Sequence, residues 1–132
     1  RRQDVLRSVL EGVTMNLAII LDVLRNHMPV DEMLVIGGGA KGRVWRQMMA
    51  DVYGARIKVP KLLEEATSMG AAVAGGVGVG LYRDFDAIDR FIEIDRVHEP
   101  DPAAVAVYAP LRETFEMCYE ALTGVYAHMA RR

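Results

Sequence analysis

The sequence predicts an α/β fold, in which a short parallel βαβ sheet is covered by long helices. Residues 34–51, LVIGGGAKGRVWRQMMAD, have the pattern of a buried strand that turns through three glycines into a helix. A second apolar run at 56–59 follows that helix, and strands joined in this way lie parallel with a right-handed crossover. Helical periodicity covers both ends of the chain.

Composition narrows the class of protein. The 132 residues fit one domain, and 52% of them are apolar before the 12 glycines are added, which is more than a typical domain contains. A net charge of −2 with scattered basic residues gives no reason to expect nucleic acid as a partner. No apolar run of about 20 residues and no signal segment is present, so we expect no membrane association. With its single cysteine, the chain is expected to be cytoplasmic.

The first half of the chain supplies the predicted βαβ unit. Apolar residues at three- and four-residue spacing predict a helix over 5–24, which Asn26, His27 and Pro29 end. The apolar run 33–36 is the first strand. The next helix covers 42–53, and Gly54 closes it. One side of this helix is expected to be buried through Val44, Trp45, Met48, Met49 and Val52.

The second half of the chain follows the strand at 56–59, which Pro60 ends. Residues 64–81 predict a helix that packs closely on its neighbours and whose glycine-rich second half frays or kinks. A short helix is expected at 84–90 and an extended segment at 91–94. Asp101 as N-cap and Pro102 at the first helical position start the last helix. Its buried face is expected to contain Tyr108, Leu111, Phe115, Cys118, Tyr119, Leu122, Tyr126 and Met129.

The glycine turn is the candidate site, because glycines let a ligand approach the main chain and a helix N-terminus attracts phosphate. Residues 37–42 match the dinucleotide pattern G-x-G-x-x-G, but no acidic residue follows the next strand to hold a ribose. A P-loop would require lysine and a hydroxyl residue where Arg43 and Val44 stand. The residues therefore favour a phosphate-binding turn of another kind.

No catalytic or metal-binding set emerges from the other residues. His27, His98 and His128 lie on different predicted elements, and one cysteine adds no metal-ligand spacing. Ser8 and Ser68 are in no nucleophile elbow. We therefore nominate no catalytic residue and no metal ligand.

The order of several sequence blocks resembles a known family. IGGGAKGRVWRQMMADVYGARIKVP and EEATSMGAAVAGGVGVGLY are similar to the second half of the C-terminal domain of the FGGY carbohydrate kinases, most closely the xylulose kinases. LEGVTMNL and PDPAAVAVYAPL extend the similarity over nearly the whole chain. The resemblance implies that residues 1–132 are the ATP-binding half of a ribonuclease-H-like, actin-like ATPase domain, without the N-terminal sugar-binding domain.

The resemblance also implies an activity and a site. A parent enzyme would transfer the γ-phosphate of ATP, with Mg²⁺, to a ketopentose, D-xylulose being the first choice and glycerol, ribulose or gluconate the alternatives. Gly38, Gly39 and Ala40 would line the adenosine and α-phosphate through their backbone, with Lys41 and Arg43 at the rim. Many relatives have a serine or asparagine at the position of Gly42, or an asparagine at that of Arg43, so this chain lacks a side-chain hydrogen bond to the nucleotide that the family pattern implies.

The family's catalytic aspartate and metal ligands lie upstream of the resembling blocks. We therefore expect Asp51 to be structural, the isolated chain to be inactive and its ATP binding to be weak. The rest of the kinase chain is the implied partner. An unpaired strand edge and an uncovered apolar face would also make the isolated piece self-associate. A non-catalytic nucleotide-binding module and a dinucleotide-binding domain remain the other hypotheses.

Overall fold

The computed structural model describes residues 1–131, and its elements alternate between helices and strands. In chain order they are α1 Arg2–Arg25, β1 Glu32–Leu34, a 3-10 turn Gly38–Lys41, α2 Arg43–Tyr53, β2 Arg56–Pro60, α3 Ala66–Gly78, a second 3-10 turn Phe85–Arg90, β3 Ile94–His98 and α4 Pro102–Met129. The predicted α/β class is confirmed.

The three strands form one mixed sheet in the order β1-β2-β3. β1 and β2 are parallel, with Met33 opposite Ile57, as the βαβ pattern predicted. β3 is antiparallel to β2 and places His98 opposite Ile57. The predicted extended segment 91–94 is wrong in position, because pairing with β2 begins at Ile94 and continues through the charged pair Asp95 and Arg96. Because these two residues are charged, β3 lacks the continuous apolar run by which a strand is recognised in the sequence.

β1 is also shorter than predicted, since it ends at Leu34 instead of Ile36. The amide of Val35 still donates to the carbonyl oxygen of Lys58 at 3.0 Å. Beyond that bond the chain leaves the sheet to enter the glycine turn.

The core lies where α1, α2 and β2 meet, and the beginning of α4 closes it. Ile57, Ala18 and Ala50 are completely buried. Val44, which we expected on the buried side of α2, is instead 66% exposed and borders an open groove beside the N-terminal turns of α1. Arg46, on another face of α2, is buried instead.

The last helix begins as predicted, with the Asp101 side chain accepting a 2.9 Å hydrogen bond from the amide of Ala103. The predicted burial of its apolar face is wrong for the residues after Phe115. Tyr108 is buried and Phe115 packs partly on the core, but residues 116–131 are all exposed, Cys118 among them. The reason is that only the N-terminal part of α4 contacts α1 and α2, so the aromatic stripe has no described element to cover it.

α3 is shorter than its predicted range of 64–81, because it begins at Ala66 and ends at Gly78 within the glycine-rich half. The Tyr82 ring packs against the helix at Gly76, where the absence of a side chain leaves room for it. A Cβ at Gly76 would lie 2.4 Å from Tyr82 Cδ2, and the Gly76 carbonyl oxygen accepts from the amides of Leu81 and Tyr82.

Close packing is confirmed at Gly76 only. A Cβ at Gly70, Gly75 or Gly78 would meet nothing within 4 Å, and only Val73 and Gly76 of α3 are buried, so the predicted close packing of the whole helix is wrong. Within residues 1–131 no helix is long and apolar enough to cross a membrane.

Candidate functional site

The glycine turn connects β1 to α2 through a single 3-10 turn. Gly37 has φ +82°, a conformation that a side chain strongly disfavours. Gly42 returns to an extended conformation and serves as the N-cap of α2. The turn therefore changes chain direction twice within six residues, which places its backbone at the carboxyl end of the strand. In open α/β sheets ligands bind in that position.

Gly38 and Gly39 have different surroundings. A Cβ on Gly38 would meet nothing within 4 Å, so the space beside it is open. A Cβ on Gly39 would lie 2.7 Å from Cζ3 of the Trp45 ring. Gly39 is thus required for packing within the chain, whereas Gly38 leaves room for another molecule.

The Trp45 ring also ties the turn to α1. Its Nε1 donates a 2.9 Å hydrogen bond to Oγ1 of the completely buried Thr14. Thr14 in turn donates to the carbonyl oxygen of Leu10 at 2.7 Å. Because this chain of bonds fixes the indole, it also fixes the backbone of Gly39 that lies against the ring.

The turn has free backbone donors. Within residues 1–131 the amides of Gly38 and Gly39 donate to no other residue, while the Ala40 amide closes the turn on Gly37 at 3.1 Å. The Ala40 side chain is completely buried, so any ligand contact from it would come from its backbone. Free amides at the start of a helical turn suit a negatively charged oxygen.

The two predicted rim cations lie on different sides of the turn. Lys41 forms an ion pair with Glu64, just before α3, and this hydrogen bond holds the pKa of the Glu64 carboxyl below its usual value. Arg43 instead lines a groove with Arg96 and His98. The structure therefore brings Lys41 together with residues 38–40 and turns Arg43 toward β3.

An apolar cavity of about 200 Å³ lies at the carboxyl ends of β1 and β2. Its walls come from three separate parts of the chain, which is why the sequence pattern did not reveal it. They include Leu34, Ile36, Pro60, Leu62, Met69 and Phe91. Ile36 directly precedes Gly37, so the apolar cavity and the polar turn are adjacent. Together they offer one apolar and one hydrogen-bonding surface.

Asp51 lies away from this turn and has structural contacts. Its Oδ1 accepts hydrogen bonds from Nε2 of Gln47 and from the amide of Asp101, both at 2.9 Å. The carboxylate thereby joins the C-terminal half of α2 to the start of α4, and it is almost completely buried. These contacts support the structural role that we expected. Among residues 1–131 no group of three or more His, Cys, Asp or Glu side chains is placed to hold a metal ion.

The mixed sheet, the glycine turn and the long flanking helices form an α/β domain whose structural neighbours are FGGY kinases with an actin-like ATPase fold. The chain belongs to the FGGY family of carbohydrate kinases, because the model of that family's C-terminal domain matches residues 2–79. The family resemblance found in the sequence is confirmed.

The curated relatives to which the sequence is similar include autoinducer-2 kinases. An autoinducer-2 kinase of Salmonella typhimurium strain LT2 is 40% identical over 68% of this chain, and one of Escherichia coli strain K12 is 33% identical over 86%. This chain spans only 17% and 21% of those two proteins.

Solved structures align over nearly the whole chain. A xylulose kinase from Lactobacillus acidophilus aligns with a TM-score of 0.85 and 25% identity, over 98% of this chain and 26% of that protein. A xylulose kinase from Rhodospirillum rubrum aligns with a TM-score of 0.79 and 27% identity, over 96% and 26%.

Proposed function

We propose that residues 1–132 are the second half of the C-terminal domain of an ATP-dependent sugar kinase and form one wall of its nucleotide site. The observation that carries this proposal is the open, donor-rich turn at Gly38 in a chain of the FGGY family. The backbone of residues 38–40 would hold the adenosine and α-phosphate side of ATP, with Lys41 at the rim. Arg43 would join the rim only if its side chain left the groove that it lines with Arg96 and His98. The neighbouring apolar cavity suits the base.

The bound nucleotide, with Mg²⁺, would supply the γ-phosphate that is transferred to a sugar hydroxyl. The residues of this chain fit a binding role in that reaction, because the turn offers free amides and open space. Phosphoryl transfer depends chiefly on positioning and on electrostatic stabilisation of the phosphates. Asp51 is already engaged by Gln47 and Asp101, so we assign the acceptor-activating carboxylate and the metal ligands to the rest of the kinase chain.

The proposed sugar is a ketopentose, with D-xylulose first, because two of the aligned structures are xylulose kinases. Gluconate is an alternative, because a gluconate kinase structure aligns equally well. The 40% identity to an autoinducer-2 kinase favours the substrate named for that relative as a second candidate. Initial rates of the full-length kinase with D-xylulose and with autoinducer-2 would discriminate between the two. A clear preference for ribulose would keep the ketopentose class but contradict D-xylulose, and a clear preference for gluconate or glycerol would contradict both candidates.

The nucleotide site is tested by Gly38→Ala. A methyl group there meets no atom of the chain but enters the space assigned to ATP, so we expect ATP affinity to fall about tenfold, equivalent to about 1.4 kcal/mol. Fluorescence of Trp45, the only tryptophan, measures binding because its ring lies against Gly39. Thermal stability should not change.

Gly12→Ala is the matched control, since this helical glycine also has open space around it. It should leave ATP affinity unchanged. Equal ATP affinities for Gly38→Ala and the parent chain would refute the assignment of the turn. Protection against heat by NAD but not by ATP would instead support a dinucleotide-binding domain.

We further propose that the rest of the kinase chain covers the exposed apolar faces of α1 and α4. Val5 and Val9 on α1, and Leu122 and Met129 on α4, are each more than two-fifths exposed. Apolar patches of this extent are rare on isolated soluble domains. The 132-residue chain should therefore self-associate, and multi-angle light scattering should show a mass that rises with concentration. A constant monomer mass would contradict this proposal.

A further inference from the structure

An ion pair joins the glycine turn to the segment that precedes α3. Lys41, the last residue of the first 3-10 turn, donates through Nζ to Oε1 of Glu64. The two residues lie 23 positions apart in the chain. Among residues 1–131 this is the only hydrogen bond that links residues 37–42 to residues 61–66. A single side-chain contact therefore holds the two segments together.

This ion pair lies beside the apolar cavity. Leu62 and Ala66 line that cavity, and Glu64 lies midway between them in the chain. Ile36, just before the turn, also lines it. Lys41 and Glu64 thus belong to two different walls, and their bond connects those walls where the cavity meets the turn.

The contact is too exposed to be explained by stability. The side chains of Lys41 and Glu64 are 56% and 68% exposed, and an ion pair in that setting contributes little to folding because water competes for both groups. The hydrogen bond from Lys41, and then its charge, hold the pKa of the Glu64 carboxyl below its usual value. Glu64 is therefore ionised at neutral pH and neutralises the ammonium that it binds.

That ammonium is the only charged group of the turn, since residues 37–42 contain no other charged side chain. The unengaged amides of Gly38 and Gly39 offer hydrogen bonds to an anion but carry no full charge. Attraction of a phosphate to the turn at close range therefore depends on Lys41. While Glu64 binds Lys41, that attraction is largely cancelled.

We propose that Glu64 is a specificity-determining residue that competes with the phosphate groups of a nucleotide for Lys41. The proposal rests on the function proposed for the turn. When a nucleotide binds, Lys41 exchanges the Glu64 carboxylate for phosphate oxygens. A nucleoside has no phosphate and requires no such exchange. Glu64 thus sets how strongly the turn prefers a nucleotide to the corresponding nucleoside.

Glu64→Gln tests this competition, because it removes the charge and keeps the size of the side chain. The affinity of the 132-residue chain for ATP, measured by the fluorescence of Trp45, should rise about two- to fivefold, the effect expected of one exposed ion pair. The affinity for adenosine should not change. Raising the ionic strength should reduce the difference between the variant and the parent chain, since salt screens exposed charges.

Glu32→Gln is the matched control. Glu32 is also an exposed carboxylate that accepts a hydrogen bond from a lysine, Lys58. It begins β1, however, at the opposite end of the strand from the glycine turn. This variant has the same change of net charge and should leave the affinities for ATP and adenosine unchanged.

A double variant shows whether Glu64 acts through Lys41. Lys41→Met should weaken ATP binding, and adding Glu64→Gln to that variant should have no further effect, because the group for which Glu64 competes is gone. An equal gain in ATP affinity with and without Lys41 would overturn the proposal, since Glu64 would then repel the phosphates directly.

The remaining outcomes separate this proposal from the function on which it rests. Unchanged or weaker ATP binding in Glu64→Gln would overturn the competition, while a loss in Gly38→Ala would still support the turn as the nucleotide site. Weaker binding of both ATP and adenosine, together with a lower denaturation temperature, would show that the ion pair only supports the cavity. No effect of Gly38→Ala on ATP affinity would refute both proposals.

Discussion

Replacing Ile57 with alanine is expected to lower the free energy of unfolding by about 2–5 kcal/mol. Ile57 is completely buried in β2, the central strand of the sheet, with Met33 and His98 opposite it on the two neighbouring strands. Truncation leaves a cavity where the sheet meets the core. Because small domains are stabilised by only about 5–15 kcal/mol, equilibrium denaturation followed by circular dichroism will show the loss clearly.

Two further substitutions provide unfolding free energies with which the loss in Ile57→Ala can be compared. Ile57→Val removes one methylene group and should cost about 0.5–1.5 kcal/mol. Ile94→Ala, at the beginning of β3, should cost less than Ile57→Ala because Ile94 is 37% exposed. If Ile94→Ala were the more destabilising change, β2 would not be the centre of the core.

Asp51→Ala is expected to cost about 1–3 kcal/mol, because it leaves the Asp101 amide and the Gln47 side chain without their acceptor. Asp51→Asn keeps an acceptor oxygen at the same place and should recover most of that loss. Thermal denaturation of both variants measures the difference. ATP affinity should be unchanged in Asp51→Asn, since the contacts of Asp51 lie toward α4 and not toward the glycine turn.

The activity of the full-length kinase tests the opposite assignment, in which Asp51 is the catalytic base. If Asp51→Asn abolished sugar phosphorylation while stability and ATP affinity stayed normal, Asp51 would be the catalytic base. A parallel, modest decrease of stability and activity in Asp51→Ala, rescued in Asp51→Asn, is the result expected of a carboxylate that joins α2 to α4.

Much of the candidate nucleotide site could be predicted from the sequence because it is local. Gly37, Gly38 and Gly39 follow one another, and the backbone properties of glycine do not depend on distant contacts. The different uses of Gly38 and Gly39 could not be predicted, since they depend on the position of the Trp45 ring and on its bond to Thr14. The apolar cavity was also missed, because its walls lie up to about 60 residues apart in the chain.

The sequence alone determined the α/β class, the parallel pairing of β1 with β2, the start of α4 at Asp101 and the family of the chain. Each depends on short-range chemistry: hydrophobic period, turn residues, caps and the order of local motifs. Only the tertiary structure showed that Cys118 is exposed and that Arg46 is buried. Periodicity shows which face of a helix is apolar, but burial depends on whether another element packs against that face.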